Sequence, residues 1–232
     1  MSKKALFVNA LTFARVPLIF LWAVFAVWGE LELGVDGQSP SATLAVLASL
    51  GMFLSGLTDL WDGRLARQWG VVSTLGKMAD PLMDKVFYIV AFPVLVWMSG
   101  HAGAREFHTL ALLALTVLYL LRDTWVTFLR SVGTMFGADV AAMWLGKVRT
   151  ALSFPGAGWI YAYLCFRRFE PFRADNVWTN IVWPVSVLSV EGLLGILTLV
   201  SLVTYTRAYM PYLKRAGVYP FFDSQSASHP CE

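Results

Sequence analysis

Charge is scarce in this chain. Asp, Glu, Lys and Arg make up 14% of its 232 residues, against about a quarter in ordinary soluble domains. Hydrophobic residues make up 57% and the mean hydropathy is +0.61. A water-soluble domain is thereby excluded and an integral membrane protein implied. The net charge of +3 is too small for a polyanion-binding surface, so nucleic acid is excluded as a partner. Cysteine is nearly absent: Cys165 lies in an apolar run and Cys231 near the end, with no disulfide framework and no metal-ligand spacing. The three histidines, His101, His108 and His229, are isolated and fall in loop or rim positions, which leaves no imidazole pair for zinc or for catalysis.

Long apolar runs are what the chain has in abundance. A helix needs about 20 residues to cross the hydrocarbon core. About six runs qualify: Asn9 to Gly29, Ser41 through Leu60, Pro81 to Gly100, Phe107 to Leu129, Leu145 to Phe166 and Asn180 to Tyr205. The implied fold class is all-α, a polytopic membrane protein with residues 1–222 as one catalytic unit and 223–232 as a polar, disordered tail. Pro155-Gly156 is expected to kink the fifth run. Lys3 and Lys4 before an apolar stretch resemble a signal peptide, but Asn9, Thr12 and Arg15 interrupt it and no small-residue cleavage site follows, so the segment is read as retained.

Placement of the positive residues sets the orientation. Lys3, Lys4, Arg64, Arg67, Lys77, Lys147, Arg149, Arg207, Lys214 and Arg215 fall on one side of the alternating spans, and the first opposite loop, 30–40, has no Lys or Arg. By the positive-inside rule both termini and the connection between the second and third spans face the cytoplasm of a cell membrane. Arg105, Arg167, Arg168 and Arg173 run against that pattern. The many tryptophans read as interfacial belts. Gly192 and Gly195 are assigned to helix packing, with a homodimer face as the alternative use.

One stretch between two apolar runs breaks the rule of polar scarcity. From Asp59 to Asp84 it reads DLWDGRLARQWGVVSTLGKMADPLMD, with aspartates 59, 62, 80 and 84. Spacings of three and four stack each pair of carboxylates on one helical face. A hairpin between the runs brings both pairs together. A carboxylate at the centre of a membrane helix costs about 2.5 to 3.5 kcal/mol to insert, so such residues mark function or pairing. Capping of helix ends accounts for one pair but not both, and it requires neither Gly63 and Ala66 between the carboxylates nor Arg67 one turn on. All-oxygen donors suit Mg²⁺ or Mn²⁺ and not zinc. Four carboxylates balance two divalent ions, an arrangement that serves displacements at phosphorus.

The spacing Asp59-x2-Asp62-Gly63-x2-Ala66-Arg67-x8-Gly76-x3-Asp80-x3-Asp84 resembles the complete signature of the CDP-alcohol phosphotransferases, with no departure at its eight positions. The resemblance implies that Asp59 and Asp80 bridge both ions, that Asp62 binds one, and that Asp84 binds the other and acts as the base. It also implies that Gly63, Ala66, Arg67, Ser73 and Gly76 hold the cytidine diphosphate.

Further segments are similar to those of the phosphatidylglycerophosphate synthase branch. They are the start Asn9-x-Leu11-Thr12-x2-Arg15, the variant Asp80-Pro81-x2-Asp84-Lys85, the run Arg122-Asp123-x5-Leu129-Arg130 and the segment Gly146-Lys147-x-Arg149-Thr150. Arg149 departs from a usual lysine, which keeps charge but changes geometry. The resemblance assigns Asn9, Thr12 and Arg15 to CDP-lipid binding. Arg122, Arg130, Lys147 and Arg149 suit an acceptor carrying its own phosphate; for each alone, snorkelling to the interface is the plainer reading. Arg122 is the least plain, being inside a span, with Asp123 as an alternative partner.

The resemblance implies a membrane enzyme that transfers a phosphatidyl group from CDP-diacylglycerol to sn-glycerol 3-phosphate, releasing CMP. Two other uses suit the same residues. One is the same chemistry with inositol phosphate or serine as acceptor. The other, in a different class, is a divalent-cation transporter, in which Gly63, Ala66 and Arg67 have no evident role.

Overall fold

The computed structural model describes residues 3–36, 42–71, 74–101, 106–137, 144–167 and 177–218, without the side chains of 32–36, 42, 74, 75, 77, 78, 80, 81, 145, 179 and 218. Ser73 and the tail 223–232 lie outside the described residues, and so does the side chain of Asp80.

The described chain is helical apart from short turns at 69–71, 136–137 and 167. Six long helices follow one another: α1 Lys3–Asp36, α2 Ala42–Gln68, α3 Thr74–His101, α4 Glu106–Met135, α5 Trp144–Phe166 and α6 Trp183–Val218, the last entered through a π-helical turn at Trp178–Val182. The bundle buries apolar side chains from all six helices around α3, whose Phe87, Tyr88, Ala91, Phe92, Leu95 and Met98 recur at helical spacing. Helix α3 packs against α1, α4 and α5, while α1 packs on α2, and α6 on α4 and α5. Long apolar side chains such as Phe20, Val24, Phe53, Leu121 and Ile196 point outward, and Arg15, Arg122, Arg149, Glu191 and Ser201 are buried. That inverted distribution is the signature of a chain solvated by lipid.

Five helical stretches are long and apolar enough to cross a membrane: Lys3–Leu31, Thr43–Gln68, Leu82–His101, Glu106–Met135 and Asn180–Gly217. The fifth run of the sequence, α5, is a helix but falls short of that apolar criterion. Its Ser153, Pro155, Gly156 and Gly158 lower its hydropathy, and its neighbours shield it, since Arg149, Ser153, Ala157, Ile160 and Tyr161 are all buried. The helix runs on through Pro155. Gly156 admits α6, because a Cβ there would come 3.0 Å from Leu194 and 3.2 Å from Val190.

Among the described residues the close approaches expected of Gly192 and Gly195 are not made. A Cβ at Gly192 would meet nothing within 4 Å, and one at Gly195 only Leu115 at 3.9 Å.

The hairpin is closed locally. Gly70, with φ +63, ends α2, and its N–H donates to Arg67 O at 3.3 Å while Val71 N–H donates to Ala66 O at 3.1 Å. These two bonds form a Schellman cap, whose left-handed position favours glycine. The start of α1 braces the tip: the Phe7 and Trp69 rings are 6.1 Å apart and Lys4 Nζ lies 5.7 Å from the Trp69 ring.

Candidate active site

Alternating helix directions bring the start of α1, the end of α2, the start of α3, the end of α4, the start of α5 and the end of α6 to one end of the bundle, where every described residue singled out for chemistry lies. Two polar centres form there and face a shared cavity.

The first centre is acidic. Asp59 and Asp62, one turn apart on α2, meet Asp84 of α3 around the guanidinium of Arg15 of α1. Arg15 Nη1 is 2.6 Å from Asp59 Oδ1 and 3.8 Å from Asp84 Oδ1, and Nη2 is 2.7 Å from Asp62 Oδ2. Thr12 Oγ1 donates to the same Asp62 Oδ2 at 2.8 Å. Asp62 is buried at 4% exposure, whereas the side chain of Asp59 is 53% exposed and that of Asp84 35%. Thus Asp62 is held from behind by two donors while the other two carboxylates remain open to the cavity.

Asn9 is buried one turn before Thr12. The guanidinium of exposed Arg67 lies over Gly63, where a Cβ would be 3.7 and 3.8 Å from its two terminal nitrogens. Glycine and arginine four residues apart thus leave an open backbone beside a fork of donors.

The second centre is basic. Asp123 Oδ1 accepts from Arg122 Nη1 at 2.8 Å and from Arg149 Nη2 at 2.7 Å. Arg122 also donates from Nε and Nη2 to Ser201 Oγ, at 3.2 and 2.6 Å. Arg130 Nη2 donates to Tyr205 Oη at 3.0 Å, and the Tyr205 ring lies 5.0 Å from the Arg122 guanidinium and 5.4 Å from that of Arg130. Gly146 is required by this packing: a Cβ there would be 3.1 Å from Tyr205 Oη and 3.3 Å from Arg122 Nη2. Lys147, next along, is exposed and lines the cavity. Lys85 reaches over from α3 to donate to Thr127 Oγ1 at 2.8 Å.

Arg149 shows why an arginine stands at this position. It is 2% exposed, lies 4.5 Å from the Tyr119 ring and 5.3 Å from the Tyr88 ring, and ties to Asp123 by one nitrogen. A planar guanidinium stacks and donates at once, which an ammonium does not. Its Nε and Nη1 are buried without a hydrogen-bond partner among the described residues, so donors are held in reserve beside the cavity.

That cavity holds about 430 Å³. Asp59, Asp62, Gly63 and Asp84 line one side; Arg122, Asp123, Arg130, Lys147, Arg149 and Tyr205 line the other. Residues 6–205 match the family model described as CDP-alcohol phosphatidyltransferase. The chain belongs to this family. It is therefore a phosphatidyltransferase, and the cation-transporter alternative falls away.

Similarity to characterised relatives is spread over most of this phosphatidyltransferase. It is 34% identical over 146 residues to the CDP-diacylglycerol–glycerol-3-phosphate 3-phosphatidyltransferase of Bacillus subtilis, covering 61% of this chain and 69% of that one. Against the protein of the same name from Salmonella choleraesuis it is 28% identical over 151 residues, covering 65% and 73%. A cardiolipin synthase (CMP-forming) of Streptomyces coelicolor is 33% identical over 165 residues, covering 66% and 67%.

The family depends on divalent cations, and the acidic centre suits one. Three carboxylates already converge on a single cationic group, and their oxygens are the hard donors that Mg²⁺ or Mn²⁺ prefers. Among the described residues, which leave out the side chain of Asp80, no group of three or more acidic, histidine or cysteine side chains is placed to hold a metal ion.

Tyr205, Ser201, Tyr88 and Tyr119 were not anticipated from the sequence. Only the position of Tyr205 and Ser201 one turn apart on an otherwise apolar run hints at a shared face. His108 is a correction of a different kind: it is buried, not on a rim, with Nδ1 3.5 Å from Glu191 Oε2 of α6. It lies at the start of α4, at the far end of the bundle, so it takes no part in the site.

Proposed function

We propose that this phosphatidyltransferase moves the phosphatidyl group of CDP-diacylglycerol onto sn-glycerol 3-phosphate at the cytoplasmic face of the cell membrane, giving phosphatidylglycerophosphate and CMP. The observation that carries the reading is the single cavity bounded by the acidic centre on one side and the basic cluster on the other. The names of the relatives in Bacillus subtilis and Salmonella choleraesuis support the same donor and acceptor.

The chain's own groups divide the work. Arg67 over Gly63 pairs bidentately with the diphosphate, a geometry favoured by the planar guanidinium, while Ala66, Ser73 and Gly76 complete the nucleotide side. Asn9, Thr12 and Arg15 line the same side from α1. Asp59, Asp62, Asp80 and Asp84 would hold two Mg²⁺ or Mn²⁺ ions. When bound, such ions neutralise the attacking and leaving oxygens of a displacement at phosphorus.

Asp84 takes the proton from the acceptor hydroxyl. The acceptor oxygen forms a bond to the phosphorus that carries the diacylglycerol, and the bond from that phosphorus to the bridging oxygen breaks. CMP leaves with that oxygen. Arg122, Arg130, Lys147 and Arg149 hold the acceptor's own phosphate, orienting the hydroxyl. Lipid tails stay in the bilayer, and residues 1–222 act as one catalytic unit.

CMP release by the purified protein, supplied with CDP-diacylglycerol and one acceptor at a time, tests this. Turnover is expected with glycerol 3-phosphate and not with inositol phosphate, serine or phosphatidylglycerol. Release that ignores glycerol 3-phosphate and follows phosphatidylglycerol would instead align the chain with its cardiolipin synthase relative.

A further inference from the structure

We propose that Arg15 is a resident cation of the acidic centre, which weakens divalent-ion binding there and ties the entry of the ions to the arrival of the nucleotide diphosphate. The inference rests on the reading of the aspartates as metal ligands and gives a role to a residue outside that set.

Among the described side chains one buried guanidinium meets three carboxylates from two other helices, at 2.6 Å to Asp59, 2.7 Å to Asp62 and 3.8 Å to Asp84. The carboxylate oxygens it touches are donors that a hard divalent ion would take, so ion and arginine compete for the same lone pairs. A positive charge within about 4 Å also repels a second cation. An incoming ion must therefore loosen Arg15 from part of its contacts.

Arg15 is only 8% exposed, and a buried charge stripped of its partners is costly. It needs another anion close by. In the proposed reaction the donor's diphosphate is the anion brought to this point. A cavity of about 40 Å³, lined in part by Arg15, Asp59, Asp84 and Ser55, leaves space beside the guanidinium. An arginine that turns from carboxylate to phosphate makes metal and donor favour each other's binding, and that coupling is reciprocal. An arginine serving only to tie α1 to α2 has no such consequence.

Mn²⁺ binding to the full-length protein in lipid nanodiscs, followed by electron paramagnetic resonance without turnover, separates the two. In the wild type, CDP-diacylglycerol should tighten Mn²⁺ binding by about tenfold or more. Arg15→Gln should bind Mn²⁺ about tenfold tighter than the wild type when no donor is present, and gain little when donor is added. Arg15→Lys, which keeps the charge but not the fork, should fall between them.

Thermal unfolding shows whether each variant is folded; should Arg15→Gln fail to fold, Arg15→Lys decides alone, and it must still exceed the wild type. Mn²⁺ binding equal to or weaker than wild type in the folded variants would overturn the role of Arg15. Absence of Mn²⁺ binding by the wild type with and without donor would overturn both this role and the metal reading of the aspartates.

Discussion

Asp84 stands at the start of α3 with its carboxylate partly exposed to the cavity, which is what distinguishes it from Asp62, buried and engaged by Thr12 and Arg15. Asp62 is closed off by its two donors, whereas Asp84 faces the cavity, where an acceptor hydroxyl could reach it. Asp84→Asn keeps shape and removes basicity. Its turnover should fall by about a hundredfold or more, while CDP-diacylglycerol binding, followed by equilibrium titration, stays near the wild-type value. CMP formation at the wild-type rate would remove Asp84 from its role as base.

The aspartates were readable because helical stacking at spacings of three and four is a local property. Arg149 was readable as a cation but not as a stacked one, since Tyr88 and Tyr119 lie on other helices. Tyr205 was unreadable because a tyrosine in an apolar run resembles any interfacial aromatic until α6 is seen beside α4. His108 and Glu191 were missed for the same reason, being 83 positions apart in the chain.

At the scale of the helices, length explains how the site is carried. α1 and α6 have 34 and 36 residues, so each is roughly 50 Å long against a hydrocarbon core of about 30 Å. The surplus of α6 gives Tyr205 and Tyr209, which with Val126 and Leu129 of α4 form a small apolar cluster separate from the main core. This satellite backs the basic centre.

The spans were legible from apolar run length, including the existence of α5. That α5 is shielded by its neighbours was not, because shielding depends on contacts distant in the chain. Glycines likewise separate only in three dimensions. A Cβ at Gly56 would run into the Phe154 ring, and one at Gly192 would meet nothing within 4 Å among the described residues. The Phe154 ring is itself packed 4.8 Å from Phe87, so it has little freedom to retreat.

Gly56→Ala should therefore cost about 1 to 3 kcal/mol, seen as a lower midpoint of thermal unfolding. Gly192→Ala should be neutral or gain up to about 1 kcal/mol from helix propensity. Equal midpoints for the two variants would show that α2 and α5 are not in the contact described.

Taken whole, the molecule joins two half-sites across one cavity. The first two helices and the start of α3 supply the carboxylates with Arg15 and Arg67; α4 and α5 supply Arg122, Arg130, Lys147 and Arg149, and Ser201 and Tyr205 of α6 brace the first two of these. In the proposed reaction each substrate has its own side of the bundle, and damage to one side should be read by one Michaelis constant.

Arg122 is the sharpest probe, because it is buried and donates to Asp123 and Ser201. Initial rates of CMP release by Arg122→Ala, titrated with each substrate in turn, give the most direct measurement. The KM for glycerol 3-phosphate should rise by about ten- to a hundredfold, the loss of a charged hydrogen-bonding group, with that for CDP-diacylglycerol changed by less than about threefold. An equal rise for both substrates would contradict the division of the cavity into a donor side and an acceptor side.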